Sequence, residues 1–369
     1  MIKLAKPHIP DKAIDKAVAV LKSGNLVEGK CVEEFEQALC DYLNVKNAIV
    51  ISSGTAALHL ALLALGIKKG DEVIIPAFTF PATANVVELV GAKPIFVDIN
   101  LSDFCIDTSK IEKVITKETK AIIPVHEFGQ PAKMDDIVKF AKHYNLKIVE
   151  DAACALGAEF ENKKVGTFGE LGCFSFHPRK AITTGEGGVV VTGDDGLAQK
   201  LKILRNHGIS CKDGKVDFIA AGLNYRMTDF QAVLGIGQLE DIDNTIIQRI
   251  EAANKYNNEL KRANWINTPH VYENHKMVYQ TYHVLLDDDI DRDELINYLK
   301  AEKIETNLGS QALPCLTYYK AKYKLKESDF PNAVKAYRKG LALPMGNQID
   351  ADGIKLVIEN MTSYMISKS

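Results

Sequence analysis

Between residues 45 and 195 the chain alternates short, wholly apolar runs with helical stretches, and few architectures accept that pattern. Asn47–Ile51 predicts a strand, and Gly54–Leu65 predicts a helix opened by Ser52-Ser53-Gly54-Thr55. Strands are predicted at Val73–Ile75 and Pro94–Val97, around a helix near Ala82–Val90. Ala121–Val125 and Lys147–Glu150 bracket a helix near Met134–Tyr144, and Cys173–Phe176 and Val189–Val191 predict two further strands. None of these runs alternates apolar with polar residues. Strands of that kind are buried on both faces, which calls for βαβ units and an α/β sheet covered by helices.

Beyond Thr192 the pattern lengthens. A helix is predicted near Leu197–Leu204 and one long helix near Thr228–Asn264. A strand at Tyr282–Leu286 and helices at Arg292–Glu302 and Val334–Lys339 then predict a smaller α+β region. Two helical stretches before Asn44 are free to pack on either part. A chain of 369 residues exceeds what one core usually spans, so we divide it into a large domain, 1–245, and a C-terminal domain, 246–369.

Bulk properties exclude several classes. The formal net charge is −3 with lysines scattered, so nothing draws the whole chain to nucleic acid or a membrane surface. The N-terminal segment lacks a signal-peptide core, and the longest apolar run, near Ala56–Leu65, is too short to cross a bilayer. Seven cysteines without a C-x-x-C pair suggest free thiols in a reducing cytoplasm rather than disulfides or zinc. No metal is expected: His126-Glu127 is not a zinc helix, because Gln130 stands where the second histidine belongs. Gly235-Ile236-Gly237 lacks a third glycine and follows no strand, so it is no dinucleotide fingerprint.

Four segments at predicted strand ends carry possible chemistry, and ligands of open α/β sheets gather at carboxyl ends of strands. Ser52–Ala57 opens a helix with small residues, which suits either a phosphate or an ordinary cap. Pro76-Ala77-Phe78-Thr79-Phe80 offers an aromatic ring to a flat heterocycle or to the core. Asp151, in Glu150-Asp151-Ala152-Ala153, either pairs with a protonated ring nitrogen or caps a turn. Lys180 follows Ser175-Phe176-His177-Pro178-Arg179 and precedes Thr184-Gly185-Glu186-Gly187-Gly188. A lysine must be neutral to bond to an aldehyde, and burial favours the neutral form; most lysines are instead solvated. Lys180 stands 29 positions beyond Asp151 with one strand between, so both can face one crevice.

Together with Asn224-Tyr225-Arg226-Met227-Thr228-Asp229, these segments resemble the DegT/DnrJ/EryC1/StrS sugar aminotransferases, from about residue 5 to the C-terminus. The resemblance implies fold type I: a mostly parallel seven-stranded sheet between helices, with a smaller C-terminal α+β domain. It implies pyridoxal 5'-phosphate, with Lys180 as the Schiff-base lysine that also moves the proton, Asp151 on the pyridine nitrogen and Phe80 on the ring face. Gly54, Thr55, Ala56 and Ser175 hold the phosphate, and Asn224 reaches the phosphate of the other subunit of a homodimer. Arg226 meets a carboxylate or phosphate.

One position departs from the pattern. The family usually has glutamine three residues after the aspartate, touching the phenolic oxygen of the cofactor; here Cys154 stands there, and a thiol is a poor hydrogen-bond partner.

The implied reaction takes nitrogen from L-glutamate and places it on a keto sugar, usually a nucleotide-linked 4-keto-6-deoxyhexose, in amino-sugar biosynthesis for surface polysaccharide or a glycosylated metabolite. An unlinked oxidised eight-carbon 3-deoxy-octulosonate is the alternative acceptor. A pyridoxamine-type dehydratase would carry histidine in place of Lys180. A carbon–carbon or aromatizing enzyme, or a non-catalytic regulatory protein on the same fold, are the remaining rivals.

Overall fold

The computed structural model describes residues 1–346 and 348–368. Among them, seven strands form the main sheet: β1 (Asn47–Ile51), β2 (Glu72–Pro76), β3 (Lys93–Val97), β4 (Thr119–Ile122), β5 (Lys147–Asp151), β6 (Leu171–Ser175) and β7 (Gly188–Thr192). Their spatial order is β1-β7-β6-β5-β4-β2-β3. The neighbours from β6 to β3 run parallel, and β7 lies antiparallel to both β1 and β6.

The unbroken apolarity of the strands has a direct cause. Ile49 and Ile51 join the core on one face of the sheet, while Ala48 and Val50 join the core on the other. Val149 and Ile148 divide in the same way. One face is covered by α3 (Gly54–Leu65), α4 (Ala82–Leu89) and α6 (Asp195–Arg205), the other by α2 (Lys30–Leu43), α5 (Met134–Tyr144) and α7 (Asp229–Leu239). Helix α3 is apolar nearly all round and buried, as a helix under a sheet must be. Each fully buried Leu or Ile contributes about 1.5–3 kcal/mol relative to exposure.

Two sequence expectations need correction. Strand β4 stops at Ile122 rather than running to Val125. Pro124 has no N–H to continue the ladder. The chain still follows β5 for two more bonds: Asp151 N–H donates to Pro124 O at 2.9 Å, and His126 N–H to Asp151 O at 3.0 Å. The single long helix expected after Thr228 is two helices, α7 and α8 (Ile242–Leu260), broken at Asp241 (φ −121°, ψ 18°). The break lets α7 pack on α2 and on α1 (Asp11–Ser23), while α8 packs on α12 (Ala351–Lys368). An unbroken helix would keep one direction and lose one of those partners.

The second layer system is a three-stranded antiparallel sheet of β8 (Ile266–Asn267), β9 (Tyr282–Leu286) and β10 (Gly340–Leu343), in the order β8-β9-β10. Helices α9 (Arg292–Ala301) and α11 (Pro331–Lys339) belong to this part with α12, whereas α10 (Thr317–Tyr323) packs its tyrosines on Phe96 of β3 and bonds Asn85 of α4. Of these, α10 and α12 were not anticipated, nor was an exposed hairpin, Ile209–Lys212 paired with Lys215–Phe218. Helices α1 and α2 pack on the large part through α7, whereas Ile2 pairs beside Ile304 in the C-terminal part. The seven cysteines are free thiols. Among the described residues no helix is long and apolar enough to cross a membrane.

Candidate active site

The loops leaving the carboxyl ends of β1, β2, β4, β5 and β6 converge on one cavity of about 350 Å³. The C-terminal part closes it with Asn307, Gly309 and Ser310. Six of the residues singled out from sequence line it: Gly54, Thr55, Phe80, Asp151, Ser175 and Lys180; Cys154 does too.

Asp151 ends β5 and is 6% exposed. Thr83 Oγ1 donates to its Oδ2 at 2.7 Å, and Ala153 N–H donates to Oδ1 at 3.2 Å. Thr83 in turn is 3.1 Å from Thr79 Oγ1. Since the Thr83 proton is committed to Asp151, Thr79 is the donor in that pair. Burial pushes the Asp151 carboxyl above its usual range, against the pull of Thr83, Ala153 and the Lys180 charge. A carboxylate in that position is stabilised by a cation placed before it.

Next to it, Glu150 and His126 form a pair with no exposure at all, Nε2 to Oε2 3.0 Å. His126 Nδ1 accepts from Ala132 N–H, so the ring proton sits on Nε2 and is donated to Glu150. Glu150 also accepts the N–H groups of Gly166, Phe168 and Gly169 at 2.6–2.8 Å. This network anchors the end of β5. No local sequence pattern announces it: His126 and Glu150 meet only because the chain at Pro124–His126 runs beside the end of β5.

Lys180 is brought in by a turn in which its N–H donates to His177 O at 2.8 Å. Its Nζ is 2.9 Å from Cys154 Sγ. Behind it, Thr183 Oγ1 donates to Phe176 O, and Gln238 of α7 bonds both the N–H and the carbonyl of Thr183. After Lys180, Gly185 is required by its left-handed backbone (φ 82°), and Gly187 and Gly188 are required by space. A Cβ on Gly188 would lie 2.6 Å from the Ser53 carbonyl, and one on Gly187 would lie 2.2 Å from Thr184 Oγ1. His177 accepts from Arg179 N–H and lines the cavity as a loop-holding residue.

The first turn of α3 lies against the end of β6: a Cβ on Gly54 would sit 2.8 Å from Ser175 Cβ. Ala56 is buried and does not line the cavity; its N–H is taken by Ser53 Oγ at 3.0 Å. A phosphate reaching Ala56 therefore has to share that cap. The two aromatics after β2 separate because the chain has left the strand at Pro76; inside a strand, residues two apart would share one face. Phe78 is fully buried against Phe104 and Phe128, and Phe80, 63% exposed, stands at the cavity wall. Asn224 and Arg226 are outside the lining within one chain. Asn224 pairs with Asn206, whose side chain accepts from Arg226 Nη1 at 2.5 Å, and Ser52 N–H donates to Tyr225 O beside them.

Arg179 and Glu127 are charged lining residues to which the sequence assigned no role. Arg179 is exposed at the mouth, its carbonyl held by Gln280 Nε2 at 2.9 Å. Glu127, 5% exposed, faces Ser310, Asp151 and Lys180. Burial and the Asp151 charge push its carboxyl up to about 8, against the Lys180 charge and the Ser310 hydrogen bond. No local pattern announces it; only the bridge of Val125 to Asp151 puts it there.

A sequence model of the DegT/DnrJ/EryC1/StrS aminotransferase family matches residues 7–362. The chain is 44% identical over 281 residues to GDP-perosamine synthase of Caulobacter vibrioides, which spans 75% of this chain and 76% of that protein. It is 38% identical to UDP-4-amino-4,6-dideoxy-N-acetyl-beta-L-altrosamine transaminase of Campylobacter jejuni, over 99% of this chain and 98% of that one. Among solved structures, Helicobacter pylori PseC, an aminotransferase involved in the biosynthesis of pseudoaminic acid, superimposes with a TM-score of 0.94 at 29% identity, covering 99% of each chain.

Proposed function

Because the chain belongs to the DegT/DnrJ/EryC1/StrS aminotransferase family, we propose that it aminates a nucleotide-linked 4-keto-6-deoxyhexose with nitrogen from L-glutamate. At the coarser level it is a pyridoxal-phosphate-dependent aminotransferase acting on sugars. The observation that carries the reading is that Asp151 and Lys180, from the ends of different strands, face one cavity.

The residues present fit the cofactor. Asp151 has donors behind it and open cavity before it, which suits a protonated ring nitrogen. The N-terminus of α3 faces Ser175 across a gap too tight for a side chain on Gly54, which suits a phosphate on backbone N–H groups. In this reading Gly54, Thr55, Ala56 and Ser175 hold the phosphate, and Phe80 covers one ring face. When bound, the cofactor supplies an electron sink for the bond-breaking at the amino-bearing carbon.

Lys180 Nζ then does the protein's part of the chemistry. With the cofactor bound, its amine would hold the aldehyde carbon between turnovers, the aldehyde oxygen leaving as water. Once displaced, it carries a proton from one carbon to the next, and Cys154 at 2.9 Å restrains its swing. The exposed Arg179 offers a cation for a carboxylate of glutamate. Arg226 serves a carboxylate or phosphate further out.

A homodimer completes the site in this reading, with Asn224 directed to the phosphate of the neighbouring subunit. Its support is twofold: Asn224 lies outside its own chain's cavity, and α1 leaves Ile14, Val18 and Leu21 exposed at helical spacing.

Half-reaction assays test the proposal. Glutamate is expected to bleach the visible band of the lysine-bound cofactor. UDP- or GDP-linked 4-keto-6-deoxy sugars are then expected to restore it. Restoration by an oxidised 3-deoxy-octulosonate and by no nucleotide-linked sugar would overturn the acceptor assignment.

A further inference from the structure

The sheet order fixes how a ring between Asp151 and Lys180 must be turned. Across the sheet, β1, β7 and β6 lie on one side of β5, and β4 lies on the other. The Gly54 and Ser175 cradle follows β1 and β6. Glu127 follows β4 on the opposite side, and Cys154 follows β5 itself. In pyridoxal phosphate the aldehyde carbon is opposite the ring nitrogen, and the phosphate arm and the phenolic oxygen flank it on its two sides. With the nitrogen at Asp151, the aldehyde at Lys180 and the phosphate at Gly54 and Ser175, the phenolic oxygen is left facing the β4 side.

Two side chains stand on that side. The Cys154 thiol is a weak donor and already lies 2.9 Å from Lys180 Nζ. Glu127 is held in place by its backbone. Phe128 (φ 58°) and Gly129 (φ 90°) are consecutive left-handed residues. A Cβ on Gly129 would lie 2.7 Å from Val278 Cγ2 and 3.1 Å from the Cys154 carbonyl, so the turn is clamped on both sides. The clamp fixes the point from which the Glu127 side chain enters the cavity, beside Asp151, Lys180 and Ser310.

We propose that the Glu127 carboxyl O–H donates a hydrogen bond to the phenolic oxygen of bound pyridoxal phosphate, filling the role that Cys154 is chemically unsuited to fill. The proposal rests on the reading that Asp151 and Lys180 flank the ring.

One carboxyl oxygen accepts from the Ser310 hydroxyl and the other donates to the cofactor. The groups that face Glu127 set its proton. Burial and Asp151 favour the neutral acid, Lys180 and Ser310 favour the anion, and the Cys105 and Cys154 thiols are the other titratable neighbours. The carboxyl is pushed up to about 8, so it is mostly a donor at neutral pH. As pH rises through that value it ionises, loses the donated proton and repels the phenolic oxygen.

The test is equilibrium binding of pyridoxal phosphate to the apoprotein without substrate, at pH 7 and pH 9, together with the visible spectrum. Losing a hydrogen bond to a charged acceptor predicts roughly 10- to 100-fold weaker binding for Glu127→Leu, with a shifted band. Glu127→Gln keeps a donor at every pH, so its affinity stays near wild type at pH 7 and the weakening of wild type at pH 9 disappears. Adding Cys154→Gln to Glu127→Leu restores most of the lost affinity. Wild-type affinity and spectrum in Glu127→Leu, or a Glu127→Gln protein that weakens at pH 9 as wild type does, overturns the proposal. A wild-type band in Lys180→Ala overturns the cofactor placement instead, so the two failures are distinguishable.

Discussion

Thr83→Val probes the part of the site hidden beneath the cavity. Thr83 is fully buried, and valine matches its shape, so the perturbation is the loss of one hydroxyl. That hydroxyl makes the shortest hydrogen bond to Asp151, 2.7 Å to Oδ2, and receives the Thr79 proton at 3.1 Å. A hydrogen bond to a charged acceptor is worth about 1.5–3 kcal/mol, and a neutral one about 0.5–1.5 kcal/mol. Thr83→Val should therefore lower kcat/KM and cofactor affinity by roughly 10- to 100-fold, whereas Thr79→Val should lower them by roughly 2- to 10-fold. The double variant should lose little more than Thr83→Val, because the Thr79 bond acts only through Thr83. The sign of the pH effect also follows. Burial raises the Asp151 carboxyl and Thr83 opposes it, so removing Thr83 raises it further. The acid limb of kcat/KM against pH should move to higher pH in Thr83→Val. Cofactor titration and a pH–rate series on the three variants measure both effects. A Thr83→Val protein with unchanged cofactor affinity and an unmoved acid limb would refute the claim that Thr83 supports a working carboxylate.

Three further outcomes are expected. Lys180→Ala should lose the visible band that borohydride bleaches in wild type, with activity down by at least about 10²- to 10⁴-fold, as for removal of a proton-transfer group. Glu150→Ala strands His126 and three backbone N–H groups in the interior; a loss of about 3–5 kcal/mol is expected in denaturant unfolding, and a loss under 1 kcal/mol would show that the network is not structural. Gly188→Ala forces a methyl to 2.6 Å from the Ser53 carbonyl, at a cost of about 1–3 kcal/mol. It should weaken phosphate and cofactor binding together, while Gly193→Ala, which meets nothing within 4 Å, should leave both unchanged.

Local chemistry made much of this protein legible in advance. The helix Gly54–Leu65 has its predicted bounds because Ser53 caps it and Gly66 ends it in a left-handed conformation (φ 78°). The strand at Tyr282–Leu286 and the helix at Met134–Tyr144 also match residue for residue. The glycines after Lys180 could be recognised by pattern, though what they avoid, the Ser53 carbonyl and Thr184, is visible only in three dimensions. Boundaries failed for two different reasons, one distant and one local. The α7–α8 break follows from two helices seeking different neighbours, and the early end of β4 from a single proline.

The sequence by itself determined which residues can start, stop and cover a parallel sheet, and in what order a carboxylate, a lysine and a small-residue helix start arrive at its edge. Those are properties of spacing along the chain. Only the tertiary structure decided that Phe80 rather than Phe78 faces the cavity, that Asn224 does not line it, and that Glu127 joins Lys180 and Asp151 there. Each of those depends on which strands lie side by side. The bridge between Val125 and Asp151, residues far apart in the chain, carries no signature in either segment alone.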